Sequence, residues 1–170
     1  MVFIGLIKYI CSMKAASIQE IKQVLLQEKS PKLVELCLRL ARFKKENKEL
    51  LTYLLFEAND ETAFVNAVCL EVDDLFAEMN QTNVYFAKKT IRKIIRQINK
   101  YNRFCGSKTA EVEILLHFTK ALLNCNLPVK THAVLKNILL AQLKKIKTVI
   151  QTLHEDLQFD YLKQLEYLKV

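Results

Sequence analysis

Hydrophobic residues recur at intervals of three and four along most of the chain, which is the period of an amphipathic α-helix. The clearest example is the stretch from Val84 to Cys105, where an apolar stripe alternates with a series of basic residues. The 170 residues include only 2 glycines and 2 prolines, so little in the sequence can break a helix or form a tight turn. The pattern therefore predicts an all-α fold.

Capping signals divide the chain into about eight predicted helices. Ser17 and Glu20 form a capping box that opens a helix to about residue 28. Ser30 and Pro31 mark a second start, with the serine as N-cap and the proline at the first helical position. The face that this second helix is expected to bury has residues spaced by threes and fours, namely Leu33, Leu36, Cys37, Leu40 and Phe43.

The remaining helices follow from the same signals. After a break near residues 46–47, four leucines are expected on one side of the next helix, namely Leu50, Leu51, Leu54 and Leu55. Three helices then open at N-caps in the pairs Asn59-Asp60 and Thr82-Asn83 and at Ser107, with expected ends near Met79, Phe104 and Asn124. Gly106 is expected to be a left-handed C-cap. A long helix after Pro128 continues to about Leu153, and a last one to Leu168.

The domain organisation expected from this pattern is simple. Short connections make successive helices antiparallel neighbours, and residues 17–170 are expected to form a single all-helical domain. Residues 30–56 form a helix–turn–helix unit whose leucine spacing resembles a HEAT-like repeat. This resemblance implies a right-handed superhelix of helix pairs, and an irregular helical bundle is the alternative.

The N-terminal apolar segment, residues 1–16, is expected to be a short docked segment or an upstream extension of a chain that starts at Met13 rather than Met1. Lys8 interrupts its hydrophobic residues and no basic residue precedes them, which disfavours a signal peptide. No apolar run approaches the roughly 20 residues that span a bilayer.

Cysteine usage indicates a reducing, cytoplasmic location. The five cysteines are an odd number and contain no CxxC pair, and Cys37 and Cys69 lie within apolar helical patterns, where a thiol behaves as a small hydrophobe. Neither the cysteines nor the three histidines have the spacing of zinc ligands. No metal and no cofactor are expected.

The formal net charge of +8 is distributed in blocks. Eight acidic residues and no basic residue occur from Glu49 to Glu78, whereas eight basic residues and no acidic residue occur from Lys88 to Lys108. Six more basic residues, without an acidic one, follow from Lys120 to Lys147. This segregation makes the second block a candidate binding surface.

On the predicted 83–104 helix, seven basic side chains lie opposite the apolar stripe at about 100° per residue. We call this surface the basic ridge, which consists of Lys88, Lys89, Arg92, Lys93, Arg96, Lys100 and Arg103. One interpretation is a solvated helix face, or one that pairs with the acidic helix before it. The other is a surface for nucleic acid, anionic lipid or an acidic partner.

The first interpretation predicts an antiparallel hairpin of helices 60–79 and 83–104. Its contacts are expected to come from apolar residues of both helices, namely Val68, Val72, Leu75, Ile91, Ile94 and Ile98. In the second interpretation, the ridge would contact phosphates rather than base edges, because it has few residues that read bases. The aromatic residues at the ends of the second helix are expected to pack in the core or the hairpin; they are Tyr85, Phe86, Tyr101 and Phe104.

Two patterns are candidates for catalysis. Glu46 and Glu49 form an ExxE pair, and Glu71 and Asp74 an ExxD pair, with 21 residues between the pairs. This arrangement resembles the magnesium-binding pattern of all-α nucleotide pyrophosphohydrolases of the MazG type, which implies carboxylates around hard cations. The first pair departs from the family pattern, because it lies among lysines on the side away from the leucines.

The second catalytic candidate is the pair of Glu113 and His117, one turn apart, for which a surface hydrogen bond is expected. The sequence as a whole favours a non-enzymatic, cytoplasmic helical module that binds another protein. Sequence-independent nucleic-acid binding through the basic ridge is the alternative, and a metal-dependent nucleotide pyrophosphohydrolase is a distant third.

Overall fold

The computed structural model describes residues 15–168, which form an all-α fold. Its eight α-helices are α1 (Ile18–Leu25), α2 (Ser30–Phe43), α3 (Lys45–Thr52), α4 (Glu61–Ala77), α5 (Val84–Cys105), α6 (Lys108–Asn124), α7 (Ala133–Ile150) and α8 (Glu155–Glu166). A π-helical turn, Tyr53–Glu57, follows α3. The N-terminal segment predicted over residues 1–16 lies outside the described residues, apart from its last two. Within the described range, no helix is long and apolar enough to cross a membrane.

The predicted caps are confirmed at four of the helix starts. The Ser17 Oγ atom accepts from the Glu20 amide and a Glu20 carboxylate oxygen accepts from the Ser17 amide, which completes the capping box. Three further N-caps accept backbone hydrogen bonds, namely Asp60, Asn83 and Ser107. Gly106 adopts the expected left-handed conformation, with φ of 68°. Ser30, however, already lies inside α2, and the N-cap there is Lys29.

The chain divides into two compact parts, one reaching to Leu51 and the other beginning at Thr52. We call the described residues 15–51 the N-terminal part and residues 52–168 the C-terminal part. Whether residues 17–170 form a single domain stays a prediction, and so does the choice between a HEAT-like superhelix and an irregular bundle.

The N-terminal part has no buried residue among those the structure describes. The prediction that α2 buries its leucine stripe is therefore wrong. Leu33 and Leu36 are half-exposed, whereas Leu40 and Phe43 are exposed over 62% and 76% of their surface, and Cys37 is exposed too. The periodicity predicted the helix and its apolar face correctly, but no described residue of that face is buried.

The predicted leucine face of residues 50–55 forms only in part, because a π-helical turn interrupts the helical period. Leu50 and Leu51 are half-exposed, whereas Leu54 and Leu55 are exposed. The Ala58 amide donates to the Tyr53 carbonyl oxygen, five residues earlier. A wider turn of this kind rotates the residues that follow it relative to a regular α-helix.

The C-terminal part has a closed core centred on α6. This helix packs against α4, α5 and α7, and α7 also packs against α8. The buried residues of α6 are Ala110, Val112, Ile114, Leu115, Leu116, Phe118, Thr119 and Leu122. Phe118 is fully buried, with its ring 5.7 Å from that of Phe76 on α4.

The antiparallel hairpin of α4 and α5 is confirmed. The ring of Phe64, near the start of α4, lies 6.1 Å from that of Tyr101, near the end of α5. Further along α4, Glu71 accepts hydrogen bonds from Gln97 and Tyr101. The predicted contact residues Val68, Val72, Ile91, Ile94 and Ile98 are buried, and Leu75 is half-buried.

Candidate functional site

The basic ridge lies on the side of α5 that faces away from the core. The buried residues of α5 are Ala87, Ile91, Ile94, Ile98 and Asn102, on the opposite side of the helix. Five ridge residues are exposed, namely Lys89, Arg92, Lys93, Arg96 and Arg103, and the other two, Lys88 and Lys100, are partly exposed. The structure therefore presents the predicted residues together on one accessible helix face.

Five of these cations have no acidic counterpart in the described part of the chain. No carboxylate among residues 15–168 lies within 4.0 Å of the charged groups of Lys88, Lys89, Arg92, Lys93 or Arg96. The Lys88 ammonium instead lies 5.4 Å from the centre of the Tyr85 ring. The Lys100 ammonium lies 5.0 Å from the Tyr101 ring. This section of α5 thus carries positive charge that no described carboxylate neutralises.

Glu71 on the acidic helix α4 contacts α5 through neutral donors. Glu71 accepts from the Gln97 amide, and its other oxygen is 2.8 Å from the Tyr101 hydroxyl. The five cations named above take no part in this contact. The idea that acidic and basic flanks orient the hairpin is therefore not supported for these five residues.

The third basic block contacts α5 through Lys145, whose charge a carboxylate offsets in part. Lys145 donates to the Asn99 side-chain oxygen at 2.8 Å and pairs with Glu111 at 3.1 Å. Glu111 also pairs with Lys108 at 2.9 Å. Partial burial raises the pKa of Glu111, but the hydrogen bonds from Lys108 and Lys145 outweigh it and the pKa is lowered. Glu111 stays ionised and offsets part of the positive charge of Lys108 and Lys145, so the candidate surface is the ridge on α5 itself.

The two catalytic carboxylate pairs fall in different parts of the chain. Glu46 and Glu49 belong to the N-terminal part, whereas Glu71 and Asp74 belong to the C-terminal part. Glu71 is engaged by Gln97 and the Tyr101 hydroxyl, as described above. Among the described residues, no group of three or more histidine, cysteine or acidic side chains is arranged to hold a metal ion.

The hydrogen bond predicted between Glu113 and His117 is not formed. Glu113 instead accepts from the hydroxyl of Tyr161 on α8 at 2.8 Å, and His117 Nε2 is 2.7 Å from Asp73 Oδ1 on α4. Both contacts join residues more than 40 positions apart in sequence. Sequence reasoning missed them because local spacing carries no information on which distant helix will pack alongside.

Glu113, His117 and Tyr161 line a cleft of about 420 Å³ between α4, α6 and α8. Its thiol, Cys69, has a pKa raised to about 11 by burial, with smaller contributions from Asp73 and Glu113. Burial and the hydrogen bond to Glu113 also raise the pKa of the Tyr161 hydroxyl. Both groups stay neutral near pH 7, and a neutral thiol is a poor nucleophile.

A second surface is the apolar side of α1 and α2, of which the sequence pattern predicted only the α2 stripe to be buried. Its exposed members are Ile18, Ile21, Val24 and Leu25 on α1 and Leu40 and Phe43 on α2. We call this surface the apolar face. Exposed apolar residues grouped on one face of a helix are typical of interaction sites.

No family model, no curated protein and no solved structure matches this chain.

Proposed function

We propose that this protein is a non-enzymatic, cytoplasmic helical module that binds another protein through the apolar face of α1 and α2. The observation that carries the proposal is the exposure of this face. Ile18 is exposed over 82% of its surface and Phe43 over 76%, and no residue of the N-terminal part as described is buried. The described free thiols Cys37, Cys69, Cys105 and Cys125 support a reducing compartment.

Covering the apolar face would supply a substantial driving force for association. Burial of apolar surface is worth roughly 25 cal/mol per Å², and α1 and α2 are short helices without a described core of their own. Helices that display apolar residues at intervals of three and four typically insert into a hydrophobic groove of a partner. The partner should therefore present an apolar groove or a complementary helix surface.

The charges beside the apolar face indicate which charges the partner should carry around its apolar groove. On α2, Glu35 pairs with Lys32 at 2.8 Å. Arg39 and Arg42 are exposed, and neither lies within ion-pair distance of a carboxylate in residues 15–168. A partner whose apolar groove has an acidic rim would complement both features.

Site-specific photo-crosslinking in the protein's native cells tests this proposal. A photoreactive residue is placed at Leu40 or Phe43 on the apolar face, and at Glu35 on the polar side of the same helix as the matched control. We expect a discrete adduct with one other protein from the two apolar positions and none from Glu35. Equal adducts from all three positions, or adducts only within the chain or to a second copy of it, would contradict the proposal.

Binding of the identified partner to the purified full-length protein provides the quantitative test. Leu40→Asp and Phe43→Asp place a charge in the interface and should weaken binding at least tenfold. Glu35→Gln changes an exposed side chain on the same helix and should leave the affinity within about twofold. Because no described residue of α2 is buried, these substitutions should leave the core intact, which circular dichroism verifies.

A further inference from the structure

The exposed face of α5 combines unneutralised cations with two exposed aromatic rings. Tyr85 and Phe86 are exposed over 66% and 52% of their surface, and their ring centres are 5.5 Å apart in an edge-to-face arrangement. The sequence-based expectation that they pack in the core or hairpin is wrong. The expectation agrees better with the structure for Tyr101 and Phe104, which are half-buried. The Tyr101 ring lies against that of Phe64.

The aromatic and basic residues share one side of the helix. Lys89, Arg92 and Arg96 lie four, seven and eleven residues after Tyr85, so all four side chains project in similar directions from α5. Lys93 lies seven residues after Phe86 and extends the same surface. The exposed face therefore begins with aromatic rings and continues as a row of cations for about two turns.

We infer that this face binds single-stranded nucleic acid, with phosphates along the ridge and one or two bases stacked on Tyr85 and Phe86. Cations without a described acidic partner attract phosphates of any sequence. Exposed aromatic rings stack on unpaired bases, whose faces a duplex hides within its own stack. The inference concerns a different helix from the apolar face and does not depend on the proposed protein partner.

The burial of the apolar side of α5 argues against a membrane as the ligand. An amphipathic helix binds a bilayer by inserting its apolar face below the headgroups, but Ile91, Ile94 and Ile98 are fully buried in the protein core. Only the two rings at one end of the helix could enter a bilayer. An acidic peptide could bind the cations, but it has no nucleobases to stack on the two rings.

Fluorescence anisotropy with the full-length protein tests the inference. The probes are a labelled single strand, a duplex of the same sequence, and vesicles containing anionic phosphatidylserine. We expect the single strand to bind tighter than the duplex, with an affinity that depends weakly on sequence and falls as salt rises. Absence of single-strand binding at low salt, a preference for the duplex, or binding to vesicles alone would overturn the inference.

Two sets of variants separate the roles of the charges and the rings. Arg92→Gln with Arg96→Gln should weaken binding and reduce the slope of log affinity against log salt by roughly 0.7 per lost phosphate contact. Tyr85→Ala with Phe86→Ala should weaken single-strand binding by about tenfold or more and leave the salt slope unchanged. An equal effect of the ring variants on duplex and single strand would contradict base stacking.

The matched control removes the same charge from another exposed helix face. Lys136 and Lys144 on α7 are exposed and have no carboxylate within ion-pair reach over residues 15–168. Lys136→Gln with Lys144→Gln should leave single-strand affinity within about twofold. If this pair weakens binding as much as the ridge pair, the net charge of the protein drives the binding and the inference fails.

Discussion

The two parts of this chain have the same kind of amphipathic pattern and opposite degrees of burial. In α2, apolar residues recur by threes and fours, and no described residue of the helix is buried. In α6, a comparable density of apolar residues gives seven buried apolar positions, with Phe118 fully enclosed. Every buried apolar residue in the described chain lies at Tyr53 or beyond.

The difference shows which property of a helix its own sequence specifies. Periodicity determines that a helix has an apolar face, because side chains three and four apart project to the same side. Whether that face is covered depends on the other elements that reach it. The C-terminal part supplies several helices around α6, whereas the described N-terminal part consists of α1, α2 and most of α3 and buries none of its residues.

The largest contrast is expected from truncating one phenylalanine in each part. Phe118→Ala removes a fully buried ring, so it should lower the free energy of unfolding by about 3–5 kcal/mol. Phe43→Ala removes a ring that is exposed over 76% of its surface, so the change should stay within about 0.5 kcal/mol. Chemical denaturation followed by circular dichroism measures both.

A comparable loss of unfolding free energy from Phe43→Ala would contradict this contrast, since it would mean that the isolated chain covers this ring in solution. Phe118→Leu is the conservative control, because it keeps an apolar side chain at the position. It should lose less stability than Phe118→Ala.

The next contrast concerns the reactivity of one cysteine in each part. Burial raises the pKa of the Cys69 thiol from its usual 9.0 to about 11, so unfolding should increase its thiolate fraction about a hundredfold at pH 8. Cys37 is exposed in the folded chain. In chains that retain a single cysteine, iodoacetamide should label Cys69 far faster in denaturant than in buffer, whereas the rate at Cys37 should change little.

The same raised pKa gives a pH dependence of stability with a definite sign. Below pH 9.0 the Cys69 thiol is neutral in both states, so its contribution to stability is fully present. Between pH 9.0 and about 11 the unfolded chain loses this proton first, so stability falls as pH rises. Cys69→Ala should remove this part of the decline, and an unchanged pH profile would contradict the assignment.

Features that depend on a few neighbouring residues could be predicted from the sequence. The capping box at Ser17, the N-cap at Asp60 and the left-handed Gly106 all follow from local backbone chemistry. The α4–α5 hairpin was also predictable, because a short connection between two helices with apolar stripes leaves few ways to bury both. The residues of the basic ridge were also placed on one face correctly, because they all lie on a single helix.

Features that depend on distant residues could not be predicted. His117 bonds to Asp73 and Glu113 to Tyr161, although helical spacing had suggested that the histidine and the glutamate bond to each other. The exposure of Tyr85 and the π-helical turn after α3 were missed too. The packing of distant helices determines which side chains bond to each other. The residues within a single helical turn do not indicate that packing.

The smallest expected effects come from removing one N-cap in each part. Asp60→Ala removes the acceptor of the Ala63 amide at the start of α4, a helix with five buried residues, so it should lower the free energy of global unfolding by about 1 kcal/mol. Ser17→Ala removes the corresponding cap of α1, none of whose residues is buried. Fraying of α1 should speed amide hydrogen exchange over residues 18–25 and leave the global denaturation midpoint unchanged, because that helix contributes no described core contact.

Asp60→Asn keeps a capping acceptor and is the control that should retain most of the stability. Equal shifts of the midpoint for Ser17→Ala and Asp60→Ala would mean that α1 unfolds together with the core, and the contrast between the two parts would then be wrong.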